Sequence, residues 1–466
     1  MSEHRARLFF PMQNADTIVA LSTPPGRSGI GVIRLSGKGA LSYLSSLLGD
    51  VPFDPEPNRV SLKTIRDPES KEILDRALVT YFKSPHSFTG EDVVEISCHG
   101  SPPLLLRVVD ILLSLGARAA DPGEFTLRAV SHGRLDLSQA EGIRDLINAQ
   151  TYAAVRHAAR QLGGELSTLL QPIKDDIVKI IVPLESSIEF VEDDLPEDIT
   201  RDINQKLSLL IQKLEQLSNT FFKGRLLKDG LRVTFVGRPN VGKSSLFNKL
   251  LASDRAIVTN IPGTTRDTLS EVISINDVPV LLIDTAGVRT SNDIIEQLGI
   301  ERTRQAIADA DVVVVVLDGS RPFTSEDKEI IEETVNCRHV IALNKCDLEV
   351  YTHDIAEFLG NDSPVVEVSA KTGAGIDILS NDIIRPFSVY DQQDTSFIIS
   401  SARHYDLLRR SVDSLRLSQQ ELEKRTGEEL VLIGLYDSLR YLGDITGETT
   451  SEDVLTQIFT TFCIGK

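Results

Sequence analysis

Between Gly237 and Ser244 the sequence reads GRPNVGKS, directly after the apolar run RVTFV and directly before SLFNKLL, whose apolar residues fall at helical spacing. No other feature constrains the fold of this chain as much. A Gly-rich turn between a buried strand and a helix N-terminus lets backbone N–H groups curl around phosphate oxygens, where the helix dipole favours negative charge. Lys243 would supply a point charge to the phosphates, and the Ser244 hydroxyl could ligate Mg²⁺. Asn240, Val241, Gly242 and Ser245 would complete the cradle. The strand before it and the helix after it favour the phosphate-binding loop; the bland alternative is an ordinary Gly-rich turn.

Three further motifs follow in order. DTAG, formed by Asp284, Thr285, Ala286 and Gly287, closes the apolar run VPVLLID; there a carboxylate can hold a Mg²⁺ water and a glycine N–H can meet the γ-phosphate. NKCD closes HVIALNK with Asn344, Lys345, Cys346 and Asp347. An ionised Asp347 can accept both N–H groups on the Watson–Crick edge of guanine, which adenine does not offer. SAK, formed by Ser369, Ala370 and Lys371, follows PVVEV and supplies a loop that can close over the base. Taken singly, DTAG is a weak signal and NKCD a moderate one, since acidic turns after strands are common. In this order, each at the C-terminal end of a strand, they point to a GTP-binding α/β domain. After the DTAG glycine, Ras-like GTPases place a Gln that orients the attacking water; here that position is Val288, which cannot hydrogen-bond, so another group must act.

Around this block the pattern changes. From Asp16 to about Ala129, short β-type runs (TIVAL, IGVIRL, RALVTYF, DVVEISC) alternate with Pro/Gly turns and one helical stretch near Leu104 to Leu115. Beyond Gln139 the apolar residues recur by threes and fours: Leu162, Leu166, Leu169, Ile173, Ile177, Ile180, Leu184 and Ile188, then Ile203, Leu207, Leu210, Leu214, Leu217 and Phe221. Helical spacing returns from about Ser401. Helices on both sides of an α/β block need partners for their apolar stripes, so they are expected to pack together. The expected architecture is multidomain: an α+β domain over residues 1–130, an all-α helical domain in two pieces at 131–229 and 387–466, and an inserted α/β P-loop domain at 230–386.

Composition narrows the function. No run is both long and apolar enough to span a bilayer, and the N-terminal MSEHRARLFF lacks the apolar core of a secretory signal, so a cytoplasmic location without membrane attachment is expected. Four cysteines, without metal-ligand spacing, read as reduced thiols. A net charge of −19 argues against a surface that coats nucleic acid, because phosphate binding depends on Lys and Arg; RNA contact would be local or shared with a partner.

The α/β block resembles the translation-factor-related P-loop GTPases, and the chain as a whole is similar to the MnmE (TrmE) family of tRNA modification GTPases. The likeness is carried by Asn240 in the P-loop, TNIPGTTRD from Thr259 to Asp267, DTIVALSTPPGRSGIGVIRLSG from Asp16, FTGEDVVEISCHG from Phe88, DPGEFTLRA from Asp121, and TFCIGK from Thr461 to Lys466. It implies that Asn240, Thr259, Ile261 and Thr264 hold K⁺ and that Thr265 joins Ser244 on Mg²⁺. It also implies that Glu296 orients the attacking water while K⁺ supplies the positive charge an arginine finger gives elsewhere. The N-terminal domain would bind a reduced folate (5-formyl- or methylene-tetrahydrofolate) through Arg34, Glu95, Arg134 and Lys466. At Arg134 relatives often carry Lys, which keeps the charge and changes the contact geometry.

The resemblance further implies a homodimer, a flavin- and NADH-using partner, MnmG (GidA), and tRNA modified at C5 of its wobble uridine with an aminomethyl or carboxymethylaminomethyl group. Without it, Glu296 reads as a solvated helix residue and the folate residues as surface ion pairs. Cys463, a thiol beside a one-carbon carrier, invites a nucleophilic role, with docking of the terminal segment as the alternative. Cys98 and His99, adjacent on a strand, should face opposite ways. Two other classes compete: a ribosome-assembly GTPase of the Era/Der type, requiring an RNA-binding domain and a basic surface, and a scaffold whose dimerisation GTP controls, with slow turnover that K⁺ does not accelerate.

Overall fold

The computed structural model describes residues 16–49, 53–189, 196–253, 269–284, 307–349, 364–385, 397–425, 427–448, 455 and 458–465. The chain forms two compact units, one of residues 1–144, 160–172 and 439–466, the other of 145–159 and 173–438.

The first unit is built on a six-stranded sheet. Its chain order is β1 (Ile18–Leu21), β2 (Ser28–Ser36), α1 (Ala40–Leu47), β3 (Val60–Arg66), β4 (Ile73–Phe82), β5 (Val93–Gly100), α2 (Pro102–Ser114), β6 (Arg118–Ala119) and α3 (Glu124–Ser131). The sheet order is β3-β4-β5-β2-β1-β6, with β1–β6 the parallel pair and the other neighbours antiparallel. Alternation along each strand sends Ile33, Leu35, Val79, Val94, Ile96 and Cys98 into one core with Leu44, Leu47, Leu105, Val108 and Leu112 of α1 and α2. The same alternation leaves Arg34 and Glu95, opposite one another across β2 and β5, outside that core. A second, smaller cluster gathers Ile18, Ala20, Ala120 and Phe125. Beside it Arg128, with 8% of its side chain exposed, donates to Asp16 (2.7 Å), Glu91 (3.0 Å) and Glu124 (2.9 Å).

Helices α4 (Leu137–Asn148), α5 (Tyr152–Leu162) and α6 (Glu165–Glu189) each contribute residues to both units. In the first unit, Leu137 and Ala140 of α4 pack with Phe459 and Phe462. In the second, α7 (Glu197–Ser218) buries Ile203, Leu207, Leu210 and Leu214, and α8 (Phe221–Asp229) leads into the P-loop domain. That domain runs β7 (Leu231–Val236), α9 (Lys243–Ser253), β8 (Leu269–Ile275), β9 (Val278–Asp284), β10 (Val312–Asp318), α10 (Ser325–Thr334), β11 (His339–Asn344), β12 (Val365–Val368) and α11 (Ile376–Ile384). It is followed by α12 (Ala402–Lys424), which packs on α7, and α13 (Glu428–Thr446), which spans both units.

The second sheet has the order β12-β11-β10-β7-β9-β8, parallel except for β8 at its edge. Its strands are near-continuous apolar runs, as parallel strands covered on both faces must be, and β10 is buried at every position. From β7 the chain proceeds to β9 on one side and β10 on the other, and ligands bind beyond the carboxyl ends of strands at such a reversal. The core of this domain includes Leu226 of α8, ahead of its first strand.

The structure adds elements that the sequence reading passed over: α1, β3, α3 and β8. β8 and β9 form a hairpin across Asn276 and Asp277, at φ 48° and 67°, the left-handed pair that matches strand twist in a two-residue turn. In α6, Leu170 is buried and Leu169 is 41% exposed, because Leu170 follows Leu166 at a spacing of four. Among the described residues, no helix is long and apolar enough to cross a membrane.

Candidate functional site

At the carboxyl end of β7 the chain turns sharply, and two glycines make the turn possible. A Cβ on Gly237 (φ 149°) would lie 2.3 Å from the Val316 carbonyl oxygen, and one on Gly242 (φ 104°) would lie 2.2 Å from Asn344 Nδ2. Between them Val241 is buried in the sheet core and anchors the loop, while Asn240 is exposed and left-handed at φ 67°. Lys243 opens α9, and its Nζ donates to the carbonyls of Gly237 (2.6 Å) and Arg238 (2.8 Å). Ser244 and Ser245 are exposed in the first turn of α9, where a hydroxyl can meet a cation bound to phosphate. Arg238 donates through Nε to Asp327 at 2.7 Å. Asp327 is fully buried and accepts from the N–H (2.9 Å) and hydroxyl (3.1 Å) of Thr324 in the capping box of α10, so that helix holds the loop by its side.

The base-reading motifs meet this loop through Asn344. Its Nδ2 donates to the Val241 carbonyl at 2.9 Å, and its Oδ1 accepts from the Ala370 N–H at 3.0 Å. One buried amide thereby joins the P-loop, NKCD and SAK. Ser369, also buried, donates from Oγ to Asp347 at 2.7 Å; that hydrogen bond favours the ionised form and holds the Asp347 carboxyl below its ordinary range. The carboxylate that can read guanine is therefore charged and oriented. Lys371 is exposed on the loop beyond it. Lys345 donates from Nζ to the Asn240 carbonyl (3.2 Å) and to Asp318 (2.5 Å) at the end of β10.

Asp284 closes β9 opposite Phe235 of β7, at the same edge as the P-loop. Thr259, Ile261, Thr264, Thr265, Thr285, Ala286, Gly287, Glu296 and Lys466 lie outside the described residues. Asn240 and Ser244 have oxygen donors suited to K⁺ and Mg²⁺ respectively, and among the described residues no hydrogen bond engages either side chain.

The first unit brings a second set together. Arg34 donates from Nε (2.9 Å) and Nη2 (2.7 Å) to Glu95 Oε1, and from Nη1 to the Gly465 carbonyl (3.3 Å). Its guanidinium lies 5.7 Å from the ring centroids of both Phe88 and Phe125. Ser22 Oγ also donates to Gly465 (3.2 Å), and the Gly123 N–H donates to the Cys463 carbonyl at 3.4 Å. A carboxylate, a guanidinium and the partly exposed ring of Phe88 thus converge where residues 463–465 dock, a set able to meet an N–H edge, a ring face and an anionic group, with the buried ring of Phe125 behind the guanidinium. Arg134 is exposed, with its side chain beside Gly90. The Cys463 thiol is exposed. Cys98 is buried in the core, and burial pushes its thiol up to about 12, while His99 faces solvent and holds Asp75 at 2.7 Å, so the two do face opposite ways.

The sequence reading missed Asp318, Asp327 and the carbonyl of Gly465. Asp318 had a visible signal, a polar residue ending the apolar run VVVVVLD; the others act through contacts distant in sequence.

A family model described as the GTP-binding protein TrmE N-terminus matches residues 17–134, and one described as the MnmE helical domain matches 137–463. The tRNA modification GTPase MnmE of Koribacter versatilis (strain Ellin345) is 46% identical over 454 residues, covering 97% of this chain and 99% of the relative. The tRNA modification GTPase MnmE of Aquifex aeolicus (strain VF5) is 40% identical over 452 residues, covering 97% of this chain and 100% of the relative. The G domain of the T. maritima FeoB iron transporter aligns with 33% of this chain and 97% of its own, at 29% identity; its TM-score of 0.26 adds nothing to a fold already fixed by strand order and loop geometry.

Proposed function

Since this chain belongs to the MnmE family of tRNA modification GTPases and is a GTP hydrolase, we propose that its hydrolysis depends on K⁺ and serves a folate-dependent modification at C5 of the tRNA wobble uridine. The observation that carries the K⁺ reading is Asn240, left-handed in the P-loop with its amide free among the described residues, together with Val288 where a water-orienting Gln would stand.

The division of labour follows from the residues. Backbone N–H groups between Gly237 and Ser244 and the Lys243 ammonium hold the phosphates. Asp347, ionised and fixed by Ser369, selects guanine. Asn240, with Thr259, Ile261 and Thr264, would hold K⁺, and Ser244 with Thr265 would hold Mg²⁺; both ions, when bound, neutralise charge that builds on the phosphate oxygens. Glu296 would orient the attacking water. In the first unit, Glu95 would accept from the pterin N–H edge and Arg34 would face the anionic part of the folate, with Arg134 and Lys466 adding positive charge. Cys463 docks by its carbonyl, and a chemical role for its thiol is a proposal. The chain would act as a homodimer with the flavoprotein MnmG on tRNA, in the cytoplasm. The domain limits 1–130, 131–229, 230–386 and 387–466 belong to the same reading.

The deciding measurement is GTP turnover in K⁺ and in Na⁺ at equal ionic strength. Rates should differ by more than about tenfold, the order expected when a transition-state charge contact is lost. Equal rates would remove the K⁺ mechanism and favour the scaffold reading. Glu296→Ala should lower kcat by about 10²-fold or more, the range for a lost acid–base or water-orienting group, with GTP affinity nearly unchanged. If affinity falls in parallel, Glu296 is structural.

A further inference from the structure

Among the described residues of the nucleotide site, two that are not glycine have left-handed backbones: Asn240 at φ 67° and Lys345 at φ 70°. Such conformations are disfavoured and persist only where the surroundings hold them. The two meet, because Lys345 Nζ donates to the Asn240 backbone carbonyl at 3.2 Å and so restrains that backbone. The same ammonium donates to Asp318 Oδ2 at 2.5 Å. Asp318 has 5% of its side chain exposed, and its Oδ1 accepts from the N–H (3.1 Å) and hydroxyl (2.6 Å) of Ser320. The register of the sheet explains the meeting: Asp318, last residue of β10, pairs with Asn344, last residue of β11, so Lys345 emerges beside the carboxylate. The chain of contacts runs Ser320, Asp318, Lys345, Asn240, and it ends on a residue whose amide has no hydrogen-bond partner among the described residues.

We infer that Asp318 and Lys345 are positioning residues for the monovalent-cation site: Lys345 fixes the backbone that presents Asn240, and Asp318 holds Lys345 in place while offsetting its charge. This rests on the K⁺ reading above. Loss of the Asp318 carboxylate would act twice in one direction. Lys345 would be freed from Asn240, and an uncompensated ammonium would remain near the cation, where like charge repels.

The test uses the full chain with Asp318→Asn, which keeps size and removes charge. K⁺ is titrated against Na⁺ at constant ionic strength with two readouts, GTP turnover and the affinity of a fluorescent non-hydrolysable GTP analogue, since ion and nucleotide at adjoining sites are reciprocally linked. The K⁺ midpoint should rise at least about fivefold in both readouts, the low end of ordinary coupling between sites, with turnover at saturating K⁺ within about twofold of wild type. Asp318→Glu, which keeps the charge, should recover part of the shift. An unmoved midpoint overturns the inference even if melting temperature or analogue affinity falls, because a merely structural carboxylate would lower those without touching the ion. Should Asp318→Asn fail to fold, Ser320→Ala removes one anchor of the carboxylate and should move the midpoint in the same direction; no movement again overturns it. A wild-type protein indifferent to K⁺ in both readouts overturns the K⁺ reading and this inference with it. A K⁺-dependent wild type beside an unmoved variant overturns the positioning role alone.

Discussion

Arg128 shows how much a single side chain can hold. Its guanidinium is nearly buried among Asp16, Glu91 and Glu124, so Arg128→Met would take the guanidinium away from Glu91 and leave Asp16 and Glu124 to Arg118 alone. A destabilisation of about 3–5 kcal/mol is expected by denaturant unfolding, as for other buried pairs broken on one side. The network also gives the domain an acid limit. Burial alone would raise the Asp16 and Glu124 carboxyls, but hydrogen bonds led by Arg118 outweigh it, and both titrate below their ordinary values of 3.8 and 4.5. Below those values the unfolded chain binds more protons than the folded one, so this stabilisation is complete at neutral pH and is lost as pH falls through the depressed folded values. Thermal unfolding followed from pH 7 downward should therefore stay level to near 4.5 and then decline. At the nucleotide site, Asp347→Asn should weaken GTP binding by at least about tenfold, since a site built to accept two N–H groups is left mismatched; unchanged affinity would overturn its role. These residues differ in how legible they were. Lys243 and Asp347 stand in short runs whose place at strand ends could be read directly. Asp318 faces Lys345 only through sheet register, and Arg34 meets Glu95 across 61 residues, a pairing that spacing alone does not announce.

Helix α8 and the β8–β9 hairpin carry the lesson at the level of elements. Parallel strands were easy to read because burial on both faces makes them continuous apolar runs, as in β10. β8 is an edge strand with mixed polarity, LSEVISI, and its signal was the Asn276–Asp277 turn that follows rather than its own pattern. The sequence reading ended the helical segment before Leu231, yet Leu226 of α8 is 3% exposed in the core of the second sheet. Leu226→Ala should destabilise the P-loop domain by about 2–5 kcal/mol. A truncated chain beginning at Leu231 should accordingly melt at a lower temperature than one beginning at Thr220; equal melting temperatures would show that α8 is dispensable to that core.

For the molecule as a whole, a net charge of −19 sets the terms of any RNA contact. Binding to tRNA by the chain alone should be weak, with a shallow dependence on salt, because few cations are available to displace counterions; a filter-binding series across salt concentrations would measure it. The multidomain plan was legible because periodicity changes sharply along the chain. The location of the first unit's polar site was not, since that site draws on strands, on the loop around Gly123 and on residues 463–465. On the proposed reading, removing residues 463–466 should weaken folate binding while leaving GTP affinity within about twofold, because the groups proposed to hold GTP all lie in the second unit. Equilibrium dialysis of both ligands against the shortened chain decides this. The bond from Arg34 to Gly465 spans 431 residues. The surroundings of Arg34 are therefore complete only when two segments far apart in sequence have met within the first unit. A chain cut between residues 439 and 462 would keep every residue of the second unit while losing the Gly465 carbonyl, and one donor of the Arg34 guanidinium would be left without that acceptor.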